Sequence, residues 1–192
     1  MQKIILASQS PRRKQLLEWA NVPFTIIVKE TDETYPAHLP ASEIALHIAR
    51  NKALAVQQST KTDTHILAAD TIVVLNNSII GKPKDRADAI KILSALSGNI
   101  HNVITGVVIL NGSKEIAFAE TTEVHFHPLT LQQIEFYIDN YKPYDKAGAY
   151  AIQEWIGVIG IKSINGDFYN VMGLPVSKVV QAFSNITKLP NG

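Results

Sequence analysis

Several charged residues stand where local conformational rules would not put them. The first group is Ser8-Gln9-Ser10-Pro11-Arg12-Arg13. Pro11 sits at a first helical position, with Ser10 as its N-cap. A helix start carries partial positive charge and unpaired N–H groups. Two arginines there cost roughly 0.3–1 kcal/mol each, and a bound anion reverses the sign. Phosphate at this turn would meet backbone amides, the Ser8 and Ser10 hydroxyls and two guanidinium forks. Taken alone, the segment is read equally well as two solvated arginines.

Asp70 interrupts an otherwise apolar strand. An unpaired buried carboxylate is costly, so either a cation neutralises it or it lies at the lip of a cleft. A structural carboxylate paired with a lysine or with backbone amides fits the same pattern. By alternation Asp70 shares a face with Ile66, Ala68, Ile72 and Val74, and Thr71 points the other way. Lys52 lies on the apolar side of a helix, near Ala45, Ile48, Ala49 and Ala55. There it either snorkels or reaches into a cleft. Lys82 follows Gly81 at a strand end and is presented by a loop. Asp32-Glu33 lies in a loop leading from a strand back to a helix. Each of these is unremarkable singly. Together, Arg12, Arg13, Lys52 and Lys82 with Glu33 and Asp70 form the set that polyphosphate hydrolysis needs. Cations cradle the phosphates, while carboxylates hold a divalent metal and activate water.

Other chemistries find less support. The chain has no cysteine, which excludes disulfides, thiolate nucleophiles and Cys-type zinc sites. His125 and His127 share one face of a strand, but no third ligand accompanies them, and they read as plain edge-strand residues. There is no Walker A segment, GxGxxG fingerprint or nucleophile elbow. Lys plus Arg number 18 and Asp plus Glu 17, a formal net charge of +1. So balanced a chain is not built to coat nucleic acid or anionic membrane. No stretch approaches the roughly 20 apolar residues of a membrane span, and the first residues lack a secretory pattern. A cytoplasmic protein is expected.

The elements that must position these residues follow from periodicity. Residues 3–7, 22–28 and 65–75 read as strands, the last apolar on both faces and so central in a sheet. Ser42 is expected to cap a helix to about residue 57, with Ile44, Ile48, Ala49 and Ala55 inward. Asn76-Asn77-Ser78 turns the chain into a short strand ending at Gly81. A helix over 85–97 faces Ile90, Leu93 and Leu96 inward and stops at Gly98. Strands 100–110 and 114–126 flank Asn111-Gly112, a type I′ turn signal. Thr130 and Gln133 form a capping box for a helix to about residue 140. A second hairpin is expected, with strands near 156–164 and 167–172 around Asn165-Gly166. Pro175 opens a last helix with Val176, Val179, Val180 and Phe183 inward. The fold class is mixed α/β, a mixed sheet with helices packed on it. One domain spans 1–192, with residues 187–192 fraying.

The same residues carry a family resemblance. LASQSPRRKQLL, ARNKA (49–53), AADTIV (68–73), GKP (81–83), SG (97–98), TGV (105–107), DKAGAYAIQ (145–153) and GLP (173–175) resemble, in order, the Maf nucleoside triphosphate pyrophosphatases. The resemblance implies an elongated mixed sheet in two lobes around a central cleft, akin to the inosine triphosphatases. It also implies a reaction, NTP plus water giving NMP plus pyrophosphate, with Mg²⁺ or Mn²⁺. Oxygen-rich sites of this kind accept Co²⁺ as well. By resemblance Asp70 is the proton acceptor, and Ser8, Arg13, Glu33, Lys52 and Lys82 are the other functional positions; the phosphate set is read as Ser8, Ser10, Arg13, Lys52 and Lys82. Glu33 and Asp70 are the metal ligands. Arg12, Thr71 and Gln153 match the positions that choose the base, and resemble the dTTP/UTP branch rather than the N7-methyl-GTP branch. The competing readings are the same chemistry on another nucleotide, or a non-catalytic nucleotide-binding regulator of cell division. The resemblance allows a homodimer.

Overall fold

The protein is described by a computed structural model covering residues 3–36, 38–60 and 64–186. The expected fraying of residues 187–192 lies outside the described residues. In chain order the elements are β1 (Ile4–Leu6), α1 (Pro11–Trp19), β2 (Phe24–Ile26), α2 (Ala41–Thr60), β3 (Ile66–Leu75) and β4 (Ser78–Ile80). Then come α3 (Arg86–Leu96), β5 (Ile100–Asn111), β6 (Lys114–Phe126), α4 (Leu131–Tyr141) and a 3₁₀ turn (Ala147–Ala149). The chain continues with α5 (Trp155–Gly160), β7 (Ile161–Asn165), α6 (Phe168–Met172) and α7 (Val176–Ile186).

The strands form one seven-stranded sheet ordered β2-β1-β3-β5-β6-β7, with β4 beside β3. β1 is parallel to β2 and β3, whereas β3–β4 and β6–β7 are antiparallel. The expected mixed sheet is present, and β3 is interior to it.

The chain divides into two compact units. The first is Met1–Asp70, Thr105–Glu120 and Gly173–Gly192; the second is Thr71–Ile104 and Thr121–Met172. In the first, the apolar face of α2 covers β1, β3 and β5. Leu46, Ala49, Ala53 and Val56 meet Ile5, Ala7, Ile66, Ala68, Val108 and Leu110 there. Gly106 permits this contact, since a Cβ at that position would lie 2.4 Å from the Ala45 carbonyl carbon. In the second unit α3 packs on α4, with Leu93, Leu96, Ile134, Tyr137 and Ile138 buried. His101, Phe126 and Tyr150 meet edge to face beside them.

Four local expectations need correction. α2 starts at Ala41, one residue before its predicted cap Ser42, and the Pro40 carbonyl accepts the Ile44 N–H at 3.0 Å. The turn after β5 falls on Gly112-Ser113, and Asn111 ends the strand without positive φ. The inward faces of the helices are slightly rotated: Ala55, Ile90, Val176 and Val180 are half-buried, while Ala53, Val56 and Ala89 are buried. Most importantly, the second hairpin does not form. Residues 155–160 are helical, 161–165 pair with β6, and 168–172 are helical. Tertiary packing overrides β-propensity here. Gly157 rests directly on the Ile152 carbonyl, Leu129 covers Gly160, and Asp167 accepts the Tyr169 N–H at 2.7 Å, which starts a helical turn.

Candidate functional site

Most of the charged residues singled out in the sequence fall in the first unit. β1 delivers the chain into the turn 7–10, and Ser10 caps α1 by accepting the Arg13 N–H at 3.5 Å. Ser8 is buried, and its Oγ accepts from the Ser10 N–H at 3.2 Å and from Arg13 Nη1 at 3.1 Å. Arg13 is not a solvated arginine. It is 8% exposed, and its Nε donates to the Gly173 carbonyl at 2.8 Å. Two of the five guanidinium N–H groups therefore fix the turn to the segment entering α7. Burial lowers the Arg13 pKa from its ordinary value, while Asp70 and Glu33 pull it back up. Arg12, the preceding residue of α1, is half-buried and opposes Arg13 by like charge.

Lys52 answers the question that Asp70 posed. It reaches from α2 to β3, and its Nζ lies 2.7 Å from Asp70 Oδ1. The same Nζ lies 2.7 Å from Glu33 Oε1, in the loop after β2. One ammonium group thus joins two carboxylates from elements far apart in sequence. Asp70 and Lys52 are largely covered, with side chains 15% and 19% exposed, and Glu33 is open at 52%. A carboxylate in a strand is tolerable because the cation offsets its desolvation. The paired structural reading therefore describes Asp70.

The second unit carries Thr71, Lys82 and Gln153. Thr71 follows Asp70 on β3 and is half-buried, whereas Lys82 and Gln153 are exposed. The Gly81 carbonyl accepts the Gly148 N–H at 3.1 Å, which ties the residue before Lys82 to the 3₁₀ turn. Gly148 has φ of 73°, and a Cβ there would lie 3.0 Å from Val73 Cγ2. That contact requires glycine, since other residues seldom adopt this conformation. His125 Nε2 lies 2.7 Å from Glu123 Oε1 on β6.

Sequence reasoning overlooked a second lysine. Lys146 is buried and lies 2.9 Å from Asp145 and 3.5 Å from Glu154. Its signal was available, because a lysine followed by the small residues of DKAGAYAIQ invites the question that Lys52 invited.

Among the described residues no group of three or more His, Asp or Glu converges as a metal cage. Two carboxylates already converge on one cation, however. Mg²⁺ commonly takes one or two carboxylates and completes its shell with substrate phosphate and water. Glu33 and Asp70 fit a metal of that kind. No described helix is long and apolar enough to cross a membrane.

Comparison with known proteins gives a family match. The family model described as Maf-like protein matches residues 3–186. A dTTP/UTP pyrophosphatase of Cytophaga hutchinsonii is 55% identical, covering 92% of this chain and 81% of that protein. One of Halalkalibacterium halodurans is 49% identical over 95% of each chain, and one of Parabacteroides distasonis is 48% identical over 93% of each. Among solved structures, a dITP/XTP pyrophosphatase of Mycobacterium abscessus superposes with a TM-score of 0.40 at 14% identity, over 65% of this chain and 73% of that one. That likeness is too slight to add to the family match.

Proposed function

Because the chain belongs to the Maf-like family, we propose that it hydrolyses dTTP and UTP to the monophosphate and pyrophosphate. The observation that carries the chemistry is the Lys52 ammonium held 2.7 Å from both Glu33 and Asp70. The substrate class rests on relatives of that name, 44–55% identical to this chain. A nucleoside triphosphate is a cytoplasmic metabolite, and the proposal includes that location.

In this reading Lys52, Lys82 and Arg13 take phosphate oxygens, with Ser8 and Ser10 holding the turn that aims Arg13. Glu33 and Asp70 would hold Mg²⁺, Mn²⁺ or Co²⁺, which supplies charge neutralisation and Lewis acidity to the phosphate oxygens. Asp70 accepts a proton from water as the water oxygen bonds to the α-phosphorus. The bond from that phosphorus to the bridging oxygen breaks, and pyrophosphate leaves. A carboxylate on a cation is a weaker base. Asp70 therefore works best with one oxygen toward the cation and the other on the water. Arg12, Thr71 and Gln153 choose the base. The Gln153 amide offers a donor and an acceptor, matching the N–H and carbonyls of uracil or thymine. Thr71 is small and neutral. A methylated guanine is cationic and would instead favour carboxylates at these positions.

The test is a nucleotide panel with Mg²⁺ or Mn²⁺, read as pyrophosphate release. UTP and dTTP should lead ATP, GTP, CTP and N7-methyl-GTP. Preference for the methylated guanine nucleotide would overturn the substrate assignment. A thermal shift with dTTP and no pyrophosphate from any nucleotide would make the protein a regulator rather than an enzyme.

A further inference from the structure

Two buried polar groups that the chemistry above leaves unused lie beside Gln153 in the second unit. Tyr137, on α4, is wholly buried. Its phenolic oxygen accepts the Ala151 N–H at 3.1 Å and donates to Glu154 Oε2. Lys146 lies 3.5 Å from the other oxygen of that carboxylate. The Glu154 N–H closes the bend onto the Ala151 carbonyl at 3.1 Å. On the far side of the bend a Cβ at Gly157 would lie 1.8 Å from the Ile152 carbonyl oxygen, so only glycine allows that approach. Residues 151, 152 and 154 are each held by a different contact. Gln153 between them is exposed.

A buried tyrosine hydroxyl needs one partner. Here it bonds on either side of the pair 152–153, at Ala151 and at Glu154. α4 does not need this bridge to begin, since it has its own capping box. An amide discriminates between bases only if its donor and acceptor stay in register with theirs, and displacements near 1 Å can cost about a hundredfold. A fixed bend supplies that register. Resting on the reading that Gln153 meets the pyrimidine edge, we infer that Tyr137 is a positioning residue for base selection. It acts through Ala151 and Glu154, and Lys146 and Gly157 hold the same bend. No contact of Tyr137 with substrate is required.

The experiment measures kcat/KM for UTP and for ATP in Gln153→Ala, Tyr137→Phe and the double variant, with melting temperatures alongside. Gln153→Ala should lower the UTP-over-ATP ratio about tenfold, the loss of one or two hydrogen bonds. Tyr137→Phe should lower it by a similar factor, and the double variant should be no worse than Gln153→Ala. If Tyr137→Phe does not fold, Glu154 serves instead. Glu154→Gln, whose amide oxygen still accepts from Tyr137, should keep most of the preference, and Glu154→Leu should lose it. A ratio unchanged in Tyr137→Phe, effects that multiply in the double variant, or equal ratios in the two Glu154 variants would overturn the positioning role alone. A ratio unchanged in Gln153→Ala would overturn the base-reading role of Gln153, and the inference with it.

Discussion

The two units hold the residues proposed to act by different means. In the first, side-chain charge does the holding: Lys52 joins Glu33 and Asp70, and Arg13 ties Ser8 to Gly173. In the second, backbone does most of it. Gly148 donates to Gly81 beside Lys82, Gly157 admits the Ile152 carbonyl, and the Ala151 N–H closes on Tyr137. The division suits the two tasks proposed for them. Phosphate chemistry needs concentrated charge, which a few ionic side chains supply. Base choice needs an amide held in one orientation, which a tight bend supplies.

The comparison breaks most visibly at Asp70. Asp70→Asn preserves shape and removes the proposed proton acceptor, so kcat should fall about 10²–10⁴-fold while KM changes little. Steady-state pyrophosphate release would show it, and an unchanged kcat would remove Asp70 from the chemistry.

Acid should find the second unit through His101. Burial, and then the nearby His125, lower its pKa from 6.5 to about 4. Its Nε2 sits 2.7 Å from the Tyr150 hydroxyl, whose own pKa burial raises far above the usual range. Above pH 6.5 the imidazole is neutral whether folded or unfolded, and nothing is lost. As pH falls from 6.5 towards 4 the unfolded chain takes the proton and the folded chain does not. Stability should therefore drop over that window, by roughly 3 kcal/mol, and then level off. Burial of His65 in the first unit acts in the same direction. Urea titrations of wild type and His101→Phe across this range would check it, the variant showing the shallower slope.

Selectivity should separate from chemistry. Thr71→Glu combined with Gln153→Glu puts carboxylates against the carbonyls of a pyrimidine, and UTP kcat/KM should fall at least about tenfold. Undiminished UTP turnover would contradict the role given to these positions. The smallest effect belongs to Arg50, whose guanidinium grips Glu115 at 2.8 Å on the surface. Arg50→Gln should cost less than about 1 kcal/mol in chemical denaturation and leave both activities alone.

What the sequence disclosed follows the same division. A charge in the wrong place is legible without a structure. Asp70 in an apolar strand, Lys52 on an apolar helix face and arginines at a helix start each violate a local rule, and Asp70, Lys52 and Arg13 each make a specific contact. The sheet, the long helix α2 and the Thr130–Gln133 capping box were also legible, because their signals are local. Residues 155–172 were not. Their isoleucines, valines and aromatic residues read as a hairpin, yet Gly157 packs on the Ile152 carbonyl of the bend before it, and Gly160 packs against Leu129, distant in sequence. Lys146 was missed because its partner Glu154 lies across a bend in a stretch read only as a loop.

The central claim is attack of water on the α-phosphorus, and isotope position tests it directly. UTP turned over in ¹⁸O-labelled water with Mg²⁺ should yield labelled UMP and unlabelled pyrophosphate. Label in the pyrophosphate, or UDP and orthophosphate as the products, would contradict it.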